Sequence, residues 1–291
     1  MEITTTAMSM KLIINCPKLL RFHSPLLQSH ASVRNSLHFS VISHSTVRNP
    51  RFVTCCLSNE NTSNTVAEVA VKDPSLAVKK KAADILPELK GTSIFLVGMA
   101  SSIKTSLGKL LADSLRYYYF DSDSLVLEAA GGESAAKAFR ESDERGYREA
   151  ETEVLKQLSS MGRLVVCAGN GAVQSSTNLA LLRHGVSIWI DVPLDMVTRG
   201  VVEDQSEDTA SEFYVLPNDS QVLAQVAALY QQMKGGYSTA DATISLQKVA
   251  NQLGYDDLDA VTTEDMTMEV LKEIEKLTRV KKMLAEAAKP F

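Results

Sequence analysis

Gly98-Met99-Ala100-Ser101-Ser102-Ile103-Lys104-Thr105 is the segment of this 291-residue chain whose residue types and spacing come nearest to chemistry. It follows G-x-x-x-x-G-K-[ST], except that Ile103 stands where the second glycine is wanted. In such a loop successive backbone N–H groups point at phosphate oxygens, the lysine reaches them, and the hydroxyl ligates magnesium. Gly98, Lys104 and Thr105 are therefore the candidate nucleotide-holding residues. Glycine before the lysine commonly permits a conformation, or an approach to phosphate, that a side chain obstructs. Ile is branched at Cβ and would be an outlier if that position required positive φ. The pattern implies a loop inherited from a phosphoryl-transfer protein and altered at a working position.

A second group follows the next apolar run, at Phe120-Asp121-Ser122-Asp123. Two carboxylates at i, i+2 off a strand end lie at the carboxyl edge of a sheet, where α/β proteins bind ligands. Taken alone, Asp123 followed by Ser124-Leu125-Val126-Leu127-Glu128 also reads as a helix N-cap. Further along come Gly132-Glu133-Ser134, Gly146-Tyr147-Arg148-Glu149-Ala150-Glu151 and Ala168-Gly169-Asn170-Gly171-Ala172-Val173.

The elements that must position these residues are short apolar runs alternating with helical patterns. Strands are expected at 94–97, 117–120, 164–167, 186–190 and 242–246. Helices are expected after the loop and at 144–158, 177–184, 220–233 and 263–287. Nearly all-apolar strands joined by helices imply a parallel sheet covered on both faces. The expectation is a three-layer α/β P-loop domain of roughly five parallel strands. Met266, Val270, Ile274 and Leu277 share one face of the last helix, read as a core-packing stripe with an interface as the alternative.

Together with Gly98 to Lys109, the motifs follow one another at the spacing found in shikimate kinases, and the chain resembles that family over about 93–246. The resemblance implies a nucleoside-monophosphate-kinase-like fold in which the loop and magnesium hold ATP while shikimate lies over the sheet edge. It makes Lys104 the phosphate lysine and Thr105 and Asp121 the magnesium-side residues. It makes Asp123 the residue that holds the shikimate hydroxyls and is the candidate to take their proton. Arg148 would grip the shikimate carboxylate in a bidentate contact, with backbone N–H groups from the turn at Gly169 and Gly171.

The departures from the family fall where its chemistry happens. Ser101 and Ile103 occupy glycine positions, and Asn170 replaces the middle glycine of the substrate turn. No arginine occurs between Arg199 and Arg279. The lid segment instead carries Glu203, Asp204, Glu207, Asp208, Glu212 and Asp219, and the arginine expected near 213–216 is missing. Four residues before Tyr237, where the family has its substrate arginine, stands Met233. Phosphoryl transfer is mostly positioning and charge neutralisation, and a stabilising arginine can contribute roughly 10³ to 10⁵ in rate. The chain thus resembles the shikimate kinase-like branch of plant plastids, regarded as lacking kinase activity and implicated in chloroplast development. The expectation is a noncatalytic protein acting through a plastid protein partner, with the site residues vestigial. No cofactor is expected to be required, and any Mg·ATP binding is expected to be weak. Two readings stay open beside it: an ATP-dependent kinase of shikimate or a related hydroxy acid, and a nucleotide-dependent switch.

Before Glu60 the only acidic residue is Glu2, against six basic ones and nine serines. Basic, Ser-rich and acid-poor is the composition of an organelle transit peptide, and Val53-Thr54-Cys55-Cys56 resembles a stromal cleavage context. The expected division is a chloroplast transit peptide over 1–56, a linker over 57–90 and the folded domain over 91–291, in the stroma. Setting aside the 59 leading residues leaves 24 Lys+Arg of 30 and 34 Asp+Glu of 35, a net charge near −10. That balance argues against nonspecific nucleic-acid binding. No run reaches the roughly eighteen apolar residues of a membrane span. Cys167 is the one cysteine beyond the leader, in an apolar run, and reads as a small buried hydrophobe.

Overall fold

The computed structural model describes residues 73–207 and 219–288. In chain order these form α1 (Pro74–Leu89), β1 (Ile94–Val97), α2 (Ser102–Leu115), β2 (Tyr118–Asp121), α3 (Ser122–Ala130), α4 (Glu133–Ser142) and α5 (Glu144–Ser159). There follow β3 (Leu164–Cys167), a 3₁₀ turn (Asn170–Val173), α6 (Ser176–Leu182), β4 (Val186–Asp191) and α7 (Leu194–Glu207). The chain closes with α8 (Asp219–Tyr237), β5 (Ala242–Ser245), α9 (Leu246–Leu253), a 3₁₀ turn (Leu258–Ala260) and α10 (Thr263–Ala287).

All five strands are parallel, in the order β2-β3-β1-β4-β5. Ile94–Val97 and Leu164–Cys167 contain no polar side chain, so neither can present a wet face, and both strands are buried along their whole length. This is the all-apolar signature of a sheet covered on both sides. Because β1 and β3 are neighbours, with Leu96 opposite Cys167, the loop after β1 and the glycine turn after β3 emerge side by side. The expected three-layer P-loop fold is the one observed. Cys167 is buried and reduced.

The N-terminal boundary is corrected. The stretch expected as a linker up to Lys90 contains α1, whose Val78, Ala82, Ile85 and Leu89 recur on one face and are buried. Asp73 caps it, accepting from Ser75 N at 3.0 Å, and Pro74 opens it. The run Lys79-Lys80-Lys81 reads as solvated chain and masks that spacing. Lys81 Nζ meets Glu275 Oε2 at 2.6 Å and Lys282 Nζ meets Glu88 Oε1 at 3.5 Å. The two pairs have equal sequence separation, so α1 and α10 run in parallel and in step. On α10, Met266, Val270 and Ile274 are buried and Leu277 packs against the core, which makes this stripe a core face. Among the described residues no helix is long and apolar enough to cross a membrane.

Candidate functional site

The chain leaves β1 through Gly98 at φ 134°, where an added Cβ would lie 2.3 Å from the Ile190 carbonyl oxygen. Only glycine fits there. Four residues later the helix begins. Ser101, in extended backbone, is the N-cap of α2, its Oγ accepting from Lys104 N at 3.3 Å. Thr105 N donates to Ser101 O at 3.2 Å. Ile103 therefore lies in the first helical turn. It is not among the non-glycine residues at positive φ, which in the described part are Lys90, Arg116 and Arg163. The position does not require positive φ, so the branched Ile103 is unstrained there: a serine cap starts the helix before it. Two amides of the loop are consequently paired within the protein. The lysine is paired as well: Lys104 is 4% exposed, and its Nζ donates to Gly98 O at 2.9 Å and Ala168 O at 3.0 Å, bridging the two loops.

At the end of β2 it is Asp121, not Asp123, that caps α3, its Oδ1 accepting from Ser124 N at 3.0 Å. This leaves Asp123 in the first turn, directed at the glycine turn. An added Cβ on Gly169 would fall 1.7 Å from Asp123 Oδ1, so the carboxylate rests directly on that glycine. Burial pushes the Asp123 carboxyl above the usual carboxylate range; the Lys104 charge opposes the rise and Asp121 adds to it. Gly169 N already donates to Ser122 Oγ at 2.9 Å, so this expected donor is engaged inside the protein. Ser122 was legible only as the residue between two aspartates.

Arg148 Nη1 meets Glu151 Oε2 at 2.9 Å, with Glu144 Oε1 3.8 Å from Nη2. Glu151 in turn lies against Gly171, where a Cβ would be 2.3 Å from Oε2. Burial raises the Glu151 carboxyl, and its bond to Arg148 pulls the other way. Glu151 was missed as a site residue, though its i, i+3 spacing from Arg148 on a helix could have found it. On the far side, Tyr237 is fully buried; its hydroxyl donates to Asn170 Oδ1 at 2.8 Å and its ring stacks on Trp189 at 5.9 Å. Met233, one turn earlier on α8, is 2% exposed.

Lys104, Thr105, Asp121, Asp123 and Gly169 line one cavity of about 680 Å³, whose opposite wall includes Val197, Leu258 and Val261. Arg199 is in that wall, paired to Asp259 at 3.0 Å. Arg148 and Gly171 are not among its lining residues. The acidic lid positions and 213–216 lie outside the residues whose side chains are described. The phosphate-loop positions thus border this cavity with the loop lysine and two loop amides paired inside the protein.

Comparison with known proteins agrees with this geometry. A shikimate kinase family model matches residues 100–275. The chain is 52% identical, over the whole of both chains, to an Arabidopsis thaliana protein named "Probable inactive shikimate kinase like 1, chloroplastic". It is 39% identical to Oryza sativa subsp. japonica "Shikimate kinase 3, chloroplastic", covering 73% of this chain and 74% of that one. Among solved structures, shikimate kinase from Acinetobacter baumannii in complex with shikimate aligns with a TM-score of 0.51 at 22% identity, over 67% of this chain and 97% of that one. That match concerns the fold; the family-model and rice matches carry more, and on them this chain belongs to the shikimate kinase family.

Proposed function

We propose that this protein is a noncatalytic member of its family, resident in the chloroplast stroma, that works by binding a plastid protein partner in chloroplast biogenesis. The observation that carries the reading is the state of the phosphate loop: Ser101 caps the Lys104 amide, and Lys104 Nζ is held by Gly98 O and Ala168 O. Transfer requires that lysine and those amides to face a triphosphate. Met233, apolar and buried, removes the guanidinium expected to grip the acid. The chloroplast names of the Arabidopsis and rice relatives support the compartment, as does the acid-poor stretch before Glu60, which we read as a transit peptide over 1–56. Full-length protein with Mg·ATP and shikimate is expected to form ADP no faster than its Lys104→Ala variant. Turnover within about tenfold of the usual kinase range of roughly 1 to 100 per second would overturn the reading.

The cavity favours a second reading, a nucleotide-dependent switch. At about 680 Å³, with Lys104, Thr105 and Asp121 on one wall, it has the size of a small-molecule site. Thr105 and Asp121 supply the hard oxygen donors magnesium takes, and the ion would complete its shell with phosphate and water. Asp121 uses one carboxylate oxygen as a cap and keeps the other. Mg·ATP would then raise the melting temperature without being consumed.

A further inference from the structure

At the edge of the sheet opposite the phosphate loop, each strand is entered through a turn, and these turns are cationic. Lys90, Arg116, Arg163 and Arg183 stand in the turns before β1, β2, β3 and β4, and all four are exposed. Tyr118 N donates to Arg163 O at 3.0 Å, Arg163 N to Gly91 O at 2.8 Å and Val186 N to Ser93 O at 2.9 Å. The turns therefore stand in the order Arg116, Arg163, Lys90, Arg183, at the roughly 4.8 Å spacing of neighbouring strands. Lys90, Arg116 and Arg163 have φ of 49°, 55° and 60°, and among the described residues no other non-glycine is at positive φ. Glycine takes that conformation without penalty, yet all three places keep a long cationic side chain. Among the described residues none of the four cations is in an ion pair. The single acid of the five turns, Asp241, is turned onto Ser187, accepting from its N and Oγ at 2.8 and 2.9 Å.

The end of α10 comes out at the same edge. Lys282 beside Glu88 puts its last turns level with the end of α1, and the helix continues to Ala287, about 8 Å further. Residues 279–288 are all exposed. Val280, Met283 and Leu284, 53, 62 and 64% exposed, share one face. Arg279 and Lys281 flank that face, each about 100° around the helix from Val280. Glu286 is the one acid of this stretch. Arg279 and Lys282 meet Glu275 and Glu88 at 3.5 Å, and exposed pairs of this kind hold their cations weakly. A chain of net charge −5 thus gathers exposed cations, and an apolar ridge beside them, at one end.

We propose that this edge and the end of α10 form one docking surface for an anionic lipid bilayer, which the protein meets without crossing. A second copy of the chain would bring the same cations face to face. A bilayer supplies what both parts need: a negative surface for the row of turns, and an acyl boundary soft enough to take in Val280, Met283 and Leu284. Arg279 and Lys281 can lay their stems along those side chains and keep their charges at the headgroups. The phosphate loop then faces away from the lipid, so the contact does not depend on whether phosphate is transferred.

The test is flotation of the full-length protein with vesicles of equal parts phosphatidylglycerol and phosphatidylcholine, against phosphatidylcholine alone. Wild type is expected to float with the anionic vesicles and to be largely released as salt near 1 M cuts the screening length to about 3 Å. The triple variant Lys90→Gly, Arg116→Gly, Arg163→Gly suits the positive φ of all three places and should partition about tenfold or more weakly. The double variant Met283→Gln, Leu284→Gln should lose about tenfold. All three proteins share the same basic N-terminal stretch, so a difference between them reports on this surface. Equal flotation with neutral vesicles overturns the proposal, as does unchanged flotation of either variant. Failure of the wild type to float overturns it in favour of an acidic protein surface as the occupant. Should the glycine variant fail to fold, the α10 variant, altered only at exposed positions, decides alone.

Discussion

The Tyr237 hydroxyl donates to Asn170 Oδ1 at 2.8 Å, tying the end of α8 to the turn that follows β3. The contact is close throughout: a Cβ on neighbouring Gly236 would lie 2.5 Å from Val173 O. The resemblance puts glycine at the position of Asn170, so the bond depends on a side chain that such a turn would lack. Truncating Asn170 leaves the buried Tyr237 hydroxyl only the weak sulfur acceptor of Met99 at 3.7 Å, and truncating the hydroxyl leaves half-buried Asn170 Oδ1 without this donor. Tyr237→Phe is expected to cost about 1 to 3 kcal/mol, and Asn170→Gly a comparable amount. Denaturant unfolding of both singles and the double variant checks this, and additive effects would mean that the pair is not coupled.

Repair of the phosphate loop is expected to need two changes. Ile103→Gly alone puts glycine into a helical turn, costs about 0.5 to 1 kcal/mol, and leaves the Ser101 cap on the Lys104 amide. Ser101→Gly alone removes the cap for a few tenths of a kcal/mol but keeps the helix start. Only the double variant should free the amides for an anion. Calorimetric titration with Mg·ATP is expected to show tighter binding in the double variant than in either single, without ADP formation. Efficient shikimate phosphorylation by Ile103→Gly alone would make the loop the sole defect.

Stability should depend on pH through Asp123. Burial raises its folded-state value above the unfolded one, near pH 3.9. The native state therefore binds the proton more tightly, and the associated stability is full below about pH 3.9 and lost as pH rises through the raised value. Asp123→Asn removes this loss. The variant should be more stable than wild type at neutral pH, with the gap narrowing as pH falls into the ordinary carboxylate range. Glu151, shifted in the same direction, leaves a residual dependence in the variant. Melting curves from about pH 4, near the ordinary carboxylate values, up to neutral pH test the sign; a gap that widens on acidification contradicts it.

Two glycines should respond oppositely to alanine. Gly98→Ala meets both a positive φ and a backbone oxygen at 2.3 Å, and is expected to cost more than about 2 kcal/mol. Gly235, helical and open on all sides, should gain about 0.5 to 1 kcal/mol when replaced by alanine. The contrast is read from denaturation midpoints.

The strands were legible because runs such as Leu164-Val165-Val166-Cys167 have one physical explanation. The α10 stripe was legible from its spacing. The loop's actual conformation was not. Whether Ile103 is strained depends on where α2 begins, and a serine cap two residues earlier decides it. Either aspartate could cap α3 by residue type, and only the structure shows that Asp121 takes the role. Glu151 looks like an ordinary polar residue of an amphipathic helix. Its place against Gly171 comes from what α5 faces, which no local pattern encodes. The start of the fold was missed for a similar reason: three consecutive lysines outweigh four apolar residues until the partner helix is known.

The in-step pairing of α1 with α10 bears on the order in which this molecule can assemble. Lys81 and Glu275 are 194 residues apart, so the first described helix, which also packs on α2, completes its cover only when the last one is present. Closing so long a loop is entropically costly and slow. A chain made or threaded from its N-terminus meanwhile leaves the side of α1 that α10 covers exposed to solvent. That interval is when such a chain is most prone to association. The same closure gives the finished domain a clasp at its two ends, so fraying at either end loosens the other.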